Sequence, residues 1–260
     1  MFEQEIKHYE MVRREYEERI VNKMAPADYM DWHEVLFSAH SCAIEGNTFT
    51  VDDTRILKEQ GLAMVPIGHS LLECTEMADH FRAFRYVVTH LDATFDEALL
   101  CETNRLVTEN TLAYRAPGAV PGAYTTEDMA AGDTVFGEHE TLVARVPALM
   151  HSTAEAIGRG VHPMIISARF HGFFEYLHPF RDGNGRTGRL LSNWILLHSG
   201  HPLLIIDVKY RAAYIDALRQ IRNEGIDEFL ISFFFRAATE RMENEMAQKH
   251  NNTHLGAFLF

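Results

Sequence analysis

Cysteine, glycine and proline are all scarce in this chain of 260 residues, which contains 3 cysteines, 16 glycines and 8 prolines. The cysteines (Cys42, Cys74 and Cys101) are odd in number, and none belongs to a CxxC pair. This pattern argues against a disulfide framework and favours a reducing compartment. Each thiol is interpreted as a small buried hydrophobe rather than a nucleophile. The low glycine and proline content leaves room for long helices.

Positive charge is also in short supply. The chain has 24 Lys and Arg against 37 Asp and Glu, which gives a net charge of −13. This balance argues against broad binding to nucleic acid or to an anionic membrane surface. No segment approaches the ~20 apolar residues of a membrane span, and residues 1–20 lack the apolar core of a signal peptide. We therefore expect a cytoplasmic protein with no nucleic-acid and no membrane partner.

Apolar residues recur at i, i+3 and i+4 through most of the chain, which is the periodicity of amphipathic helices. Thr50 followed by Asp53 is close to a capping box and marks one helix start. Segment 115–140 is rich in glycine and proline and predicts a loop or short hairpin, and 203–208 is read as briefly extended. We predict a mainly α globule with helices at about 1–24, 31–47, 50–60, 70–91, 96–112, 141–158, 163–177, 186–199, 209–223 and 226–247.

The segment LHPFRDGNGRTGR, at 177–189, concentrates chemical groups in a short stretch. Pro179 cannot continue the preceding helix, and Gly183 and Gly185 flank Asn184 in a tight turn before the next helix. Such a turn presents free backbone N–H groups and the positive end of a helix dipole. The turn is therefore a candidate anion site, with phosphate as the usual occupant.

Charged side chains accompany this turn. Arg186 and Arg189 are three residues apart, so they share a helix face, and two guanidiniums suit a polyphosphate. Asp182 offers a hard oxygen ligand for Mg²⁺, and His178 can take a proton from a hydroxyl near neutral pH. Each residue alone also fits a glycine turn with solvated arginines and a core histidine, but the complete string favours nucleotide chemistry.

The string matches every specified position of the Fic family motif, HPFx(D/E)GNGRxxR, and resembles that family. The resemblance continues upstream through His162 and His171 and downstream through Tyr214, and covers about residues 34–240. It implies a Fic/Doc-like helical core with a short β-hairpin flap. It also implies protein AMPylation, in which AMP is moved from ATP to a Ser, Thr or Tyr hydroxyl of a target protein with Mg²⁺ as cofactor.

The resemblance further implies a role for each matched residue. His178 would be the general base for the target hydroxyl, and Asp182 would bind Mg²⁺ between the α- and β-phosphates. Arg186 would contact the β- or γ-phosphate, and Arg189 would hold the γ-phosphate. The other implied nucleotide-binding residues form the anion hole, the start of the next helix, the flap and the adenine side: Gly183, Asn184, Gly185, Thr187, Gly188, Met129, Ala130, Ala131, Gly132 and Tyr214.

A second motif lies upstream. Glu45 stands beside Gly46 at the end of a predicted helix, where the helix dipole disfavours a carboxylate, so a buried arginine would compensate. The stretch from Ser41 to Gly46 resembles the Fic inhibitory motif (S/T)xxxE(G/N). The resemblance implies that Glu45 pairs with Arg189 and blocks the γ-phosphate site. In some relatives the same glutamate helps to remove AMP from the target.

Segment 118–137 takes the place of the family's flap, and it departs from the family pattern. Thr125 stands where members often have Arg, and 137–139 stands where they often have a Pro-Pro pair. Ile215, rather than a second Tyr, follows Tyr214. The adenine pocket and the docking of the target are the parts of the prediction that these departures affect.

Residues 1–110 are predicted to form an N-terminal helical region that includes the inhibitory helix at about 31–47, and 111–250 the Fic catalytic core, within one continuous globule. Transfer of another phosphate-containing group and removal of AMP stay open as alternatives, as does a non-catalytic nucleotide-binding or toxin–antitoxin module. Self-modification and a homo-oligomer are further expectations. The 15 histidines contain no HExxH or Cys/His cluster that would indicate zinc.

Overall fold

The computed structural model describes residues 2–63, 65–131 and 134–255, and its fold is mainly helical, as predicted. Short 3-10 turns connect several of the helices. The α-helices are α1 (Glu3–Arg19), α2 (Pro26–Ile44), α3 (Val51–Gln60), α4 (Leu71–Thr89), α5 (Glu97–Thr108), α6 (Leu112–Arg115), α7 (Leu142–Gly158), α8 (Pro163–Leu177), α9 (Asn184–His198), α10 (Arg211–Glu224) and α11 (Glu228–Leu255).

Helices α8 and α9 form the centre of the fold and pack closely against each other, with α2, α4, α5, α7, α10 and α11 around them. Their close approach depends on Gly188, since a Cβ there would lie 2.6 Å from Nδ1 of His171 and 2.9 Å from Phe174. Phe174 and Trp194 are buried in this core. The segment that joins α8 to α9 carries the predicted chemistry, so this closely packed helix pair supports it.

The N-terminal helices are part of the same packing arrangement. Helix α1 packs on α11, where the Tyr16 hydroxyl donates to Oε2 of Glu245 at 2.5 Å and Arg241 donates to the other carboxylate oxygen at 2.7 Å. Helices α2 and α4 contact α9 directly. The predicted division at residue 110 falls between α5 and α6, and it remains a prediction.

Capping explains where several helices begin. Thr50 and Asp53 form the predicted capping box of α3, and Ser70 with Glu73 forms a second one at α4. The predicted start of the second helix at residue 31 is wrong: α2 begins at Pro26, because a proline is readily accommodated in the first helical turn.

Other helix bounds also differ from the prediction, and the first helix ends at Arg19 rather than at residue 24. Helix α9 begins at Asn184 rather than 186, because the turn itself supplies the first helical residues. The helix predicted at 96–112 ends at Thr108, and α6 follows as a separate turn. Segment 203–208 forms no strand in the described part of the chain.

Segment 115–140 contains the two strands found among the described residues. Strand β1 (Ala130–Ala131) pairs antiparallel with β2 (Thr134–Val135), and the amide of Phe136 continues the pairing by donating to the Met129 carbonyl at 3.0 Å. Gly132, one of the predicted nucleotide-binding residues, lies outside the described residues. In the ranges that the structure describes, no helix is long and apolar enough to cross a membrane.

Candidate active site

The loop between α8 and α9 turns sharply at two residues with positive φ. His178 ends α8 with φ 48°, and Gly183 precedes α9 with φ 77°. A Cβ on Gly183 would lie 2.7 Å from Cγ2 of Thr108, so glycine is needed both for the conformation and for the space. The first residues of α9 line a pocket, where a helix start offers backbone N–H groups to an anion.

Asn184 braces this loop through its side chain. Its Oδ1 accepts from the Phe180 amide at 3.0 Å, and its Nδ2 donates to the Phe180 carbonyl at 2.7 Å. Asn104 of α5 adds a further brace, because its Nδ2 donates to the Asp182 carbonyl at 3.0 Å. The Asn184 side chain thus stabilises the loop, and the backbone of the loop is the part available to bind a ligand.

Arg186 is 1% exposed and is held in a buried ion-pair network. Its Nη1 donates to Oε1 of Glu76 at 2.5 Å, and its Nη2 lies 3.1 Å from Oδ2 of Asp182. Arg115 and Asn47 also bind Glu76, at 2.9 Å each. In this state the Arg186 guanidinium orients the Asp182 carboxylate, and it is less available to a phosphate than the sequence predicted.

Arg189 is 3% exposed, and it is hydrogen-bonded to both predicted residues of the upstream motif, Ser41 and Glu45. Its Nη2 donates to Oε1 of Glu45 at 2.8 Å and to the Ser41 carbonyl at 2.8 Å, and its Nε donates to the Ser41 hydroxyl at 3.1 Å. Its Nη1 donates to the Tyr214 hydroxyl at 3.4 Å. The end of α2, the start of α9 and α10 therefore converge on one guanidinium.

Glu45 lies over the anion loop itself. A Cβ placed on Gly185 would collide with Oε1 of Glu45 and would lie 2.9 Å from Nη1 of Arg189. Burial disfavours the ionised Glu45 carboxylate, but Arg189 and Arg186 outweigh burial and hold its pKa below the usual value. The carboxylate therefore occupies the position where an anion would meet both Gly185 and Arg189.

His178 lies on the wall of the same pocket. Burial is the main reason that its pKa is lowered to about 4; Arg222 lowers it further, while Glu45 and Asp182 oppose the shift. The ring of Phe136 stacks on the imidazole, with centroids 3.8 Å apart, and the Arg222 guanidinium lies over the Phe136 ring at 4.7 Å from its centroid. At neutral pH the imidazole is neutral and can accept a proton.

The two-stranded segment is fastened beside the motif through its backbone. The Thr125 amide donates to the Pro179 carbonyl at 2.8 Å, and the Gly137 amide donates to the Tyr176 carbonyl at 3.1 Å. Nη1 of Arg181 donates a hydrogen bond to the Met129 sulfur at 3.4 Å. Among the described residues, the pocket wall includes neither Met129 nor Ala130.

The pocket has a volume of about 150 Å³ and brings most of the predicted residues together. Thr187 and Gly188 are exceptions, because they lie behind the loop: Thr187 is fully buried and accepts from Asn104, and Gly188 packs on His171. The wall consists of Glu45, Glu175, His178, Arg181, Asp182, Gly183, Asn184, Gly185, Arg186, Arg189, Tyr214, Ile215 and Leu218.

Asp182 suits a Mg²⁺ ion that is shared with phosphates. Its carboxylate faces the pocket, with one oxygen held by Arg186 and, at 3.7 Å, by Arg115. Mg²⁺ is commonly bound by one or two carboxylates together with substrate phosphates and water. No group of three or more metal-binding side chains is found in the described part of the chain.

Sequence reasoning missed Glu76, Glu175 and Phe136. Glu76 acts across 110 residues, which no local spacing reveals. Glu175 carried a signal, because it is a lone acid in the apolar run FFEYL immediately before the motif. Phe136 had no signal, since its position over His178 depends on how the two-stranded segment folds back.

The chain is similar in sequence to known proteins of one family. The model of the Fic/DOC family matches residues 94–196. "Protein adenylyltransferase Fic" of Nematostella vectensis is 34% identical over 207 residues, which cover 78% of this chain and 46% of the relative. The chain therefore contains a Fic/DOC family domain at residues 94–196. The Fic relative of Culex quinquefasciatus is 31% identical over 196 residues, which cover 72% of the chain and 36% of that relative. The chain thus spans less than half the length of these curated relatives.

Solved structures share the Fic fold. A Fic domain-containing signaling protein from Bacteroides thetaiotaomicron superposes with a TM-score of 0.76 at 20% identity, covering 92% of this chain and 94% of its own. Fic-1 from C. elegans, residues 134–508, gives a TM-score of 0.73 at 23% identity, covering 94% of this chain and 71% of its own. At these identities the likeness extends to the fold alone.

Proposed function

We propose that this chain is a protein adenylyltransferase that transfers AMP from ATP to a Ser, Thr or Tyr hydroxyl of a target protein, with Mg²⁺. The observation that carries the proposal is the convergence of His178, Asp182, the α9 N-terminus and Arg189 on one pocket. The names of the relatives, each a protein adenylyltransferase, support the same reaction.

The proposed reaction uses His178 as the general base. Its imidazole is neutral at pH 7, so Nε2 can take the proton of the target hydroxyl as that oxygen bonds to the α-phosphorus of ATP. The bond from the α-phosphorus to the bridging oxygen breaks, and pyrophosphate leaves. Backbone N–H groups at Gly183 to Gly185 would bind phosphate oxygens. Asp182 would hold Mg²⁺, which supplies charge neutralisation for the leaving pyrophosphate.

Glu45 is proposed to inhibit this reaction from within the chain. Its carboxylate takes the place beside Gly185 and Arg189 that a γ-phosphate needs, and two like charges do not share one guanidinium well. Displacing Glu45 would free Arg189 for ATP. Ser41 stays bound to Arg189 through its backbone and hydroxyl, so it positions the guanidinium in both states.

The segment around β1 and β2 is proposed to act as a flap that aligns a target chain by strand addition. Its anchoring to Pro179 and Tyr176 holds it next to His178 and supports this role. Met129, Ala130, Ala131 and Gly132 stay proposed nucleotide contacts on this segment, as does Tyr214 on α10. We also propose that the protein is cytoplasmic, that it can modify itself and that it forms a homo-oligomer.

The phosphate of ATP that carries an isotope label distinguishes the proposed reaction from its alternatives. The Glu45→Gly variant is incubated with Mg²⁺ and a cell lysate, using ATP labelled either at the α- or at the γ-phosphate. Relative to the same lysate without the protein, the proposal predicts added protein labelling from α-labelled ATP only, and none after the further change His178→Ala. Added labelling from γ-labelled ATP would indicate phosphate transfer by the chain, and loss of label from pre-modified protein in the wild type would indicate removal of AMP. Binding of ATP without any labelling would favour the non-catalytic module.

A further inference from the structure

Two buried polar side chains lie close together at the end of α8. Within the described residues, Nδ1 of His178 and Oε1 of Glu175 have no partner with hydrogen-bond geometry. The main chain of Glu175 also interacts with the His178 imidazole and raises its pKa. Oε2 of Glu175 lies 3.9 Å from the same Nδ1. A buried polar group without a partner is costly, so this arrangement calls for an explanation.

The charges around Glu175 come from three helices. Glu45 from α2 disfavours its ionised form, whereas Arg189 from α9 and Arg222 from α10 favour it. Burial is the largest effect, and the pKa of Glu175 is raised to about 7. Tyr214, also on α10, is neutral at this pH because burial raises its own pKa. The Glu175 carboxyl therefore changes charge within the range where the site would work.

The proposed reaction creates a demand that this carboxylate can meet. When Nε2 accepts the proton of the target hydroxyl, His178 becomes a buried cation whose Nδ1–H needs an acceptor. Phe136 covers one ring face, so solvent reaches the ring poorly from that side. A closing of the 3.9 Å gap by about 1 Å would give a normal hydrogen bond.

We propose that Glu175 is a positioning residue for His178: its carboxylate accepts a hydrogen bond from Nδ1, fixes the tautomer with a free Nε2, and stabilises the imidazolium. Glu175 takes no proton in the reaction. The proton passes from the hydroxyl to Nε2, the new bond joins the hydroxyl oxygen to the α-phosphorus, and pyrophosphate carries away the electron pair. The predicted effect on kcat rests on the proposed adenylyl transfer, whereas the predicted tautomer of His178 does not.

The kinetic test uses the Glu45→Gly variant as parent. Adding Glu175→Gln is expected to lower kcat by about tenfold or more, with the KM for ATP little changed, whereas Glu175→Asp, which keeps the charge, restores part of kcat. The parent's kcat should rise with pH near or somewhat below 7, because Glu45 no longer raises the pKa of Glu175, and the Gln variant should lose this rise. Glu59→Gln, on the exposed face of α3, is the matched control. Equal kcat and equal pH profiles for Glu175→Gln and Glu59→Gln would overturn the proposal.

A second measurement needs no turnover. Nitrogen NMR of the wild-type chain reports the tautomer of His178, whose signals are identified by their loss in His178→Ala. The Nδ1–H form is expected to dominate at pH 8 and to decline at pH 6, where Glu175 is protonated, and Glu175→Gln should abolish that change. A tautomer ratio that is constant with pH in the wild type would refute the pairing. If adenylyl transfer fails while this tautomer change is seen, only the proposed function is wrong.

Discussion

Replacing Glu45 by Gly should accelerate AMP transfer at low ATP concentration. The carboxylate is hydrogen-bonded to Arg189 at 2.8 Å and lies against Gly185, so it competes with the γ-phosphate for the same two groups. The change removes the competitor and leaves Ser41 in place to hold the guanidinium. No group that contacts the substrates is removed, so the main effect should be on ATP binding. The chemical step should change only through the lost influence of Glu45 on the pKa of Glu175 and of His178.

The magnitude follows from the strength of the contact. Hydrogen bonds to charged groups contribute about 1.5–3 kcal/mol net. The side chain of Glu45 is 36% exposed, so solvent screening places its bond to Arg189 towards the lower end, at about 2 kcal/mol. At 1.4 kcal/mol per factor of ten, this corresponds to about a 30-fold gain in productive ATP binding.

Initial rates of label incorporation from α-labelled ATP measure this gain. At ATP well below KM, Glu45→Gly should be about 30-fold faster than the wild type, and the ratio should shrink as ATP rises. Glu45→Gln keeps the volume but loses the charge and should fall between the two. Glu59→Gln controls for the loss of a negative charge elsewhere. If neither Glu45 variant is faster than Glu59→Gln at any ATP concentration, the inhibitory role of Glu45 is refuted.

Three further predictions concern the loop and its support. Gly188→Ala should destabilise the fold by about 1–3 kcal/mol, measured by urea unfolding, because the added methyl meets His171; an unchanged midpoint would contradict the close approach of α8 and α9. Asn184→Ala should lose both bonds to the Phe180 backbone and weaken ATP binding at least tenfold by calorimetry, and undiminished affinity would show that the loop needs no brace. The pKa of Glu175 is raised from 4.5 to about 7, so the free energy of unfolding falls by about 3 kcal/mol as the pH rises through this range and the carboxyl ionises. Glu175→Gln should therefore be more stable than the wild type at pH 8 but not at pH 4, and equal stability at pH 8 would contradict the shift.

The anion loop could be predicted from sequence because its determinants are local. Pro179, Gly183 and Gly185 fix the turn through their own backbone properties, and the polar groups follow at short spacing. The capping box at Thr50 is local in the same way. Such features depend on neighbouring residues only, so the structure has them where the sequence predicts them.

The contacts that control the loop could not be predicted from spacing. Glu45 and Arg189 are 144 residues apart, and only the family resemblance led to their pairing. Glu76 lies on a correctly predicted helix, but nothing in the sequence aims it at Arg186. The burial of Arg186, which removes most of its exposure to a phosphate, is likewise a consequence of how α4 packs on α9.

The decisive measurement of AMP transfer by this chain is the intact mass of the protein and its targets after incubation with Mg²⁺ and ATP. Glu45→Gly is incubated with a lysate as a source of targets, and His178→Ala in the same background serves as control. We expect proteins in the Glu45→Gly sample, the chain itself or a target, to gain the mass of one AMP, and none to do so in the His178→Ala sample. A gain of phosphate instead, or an equal AMP gain without His178, would contradict this expectation.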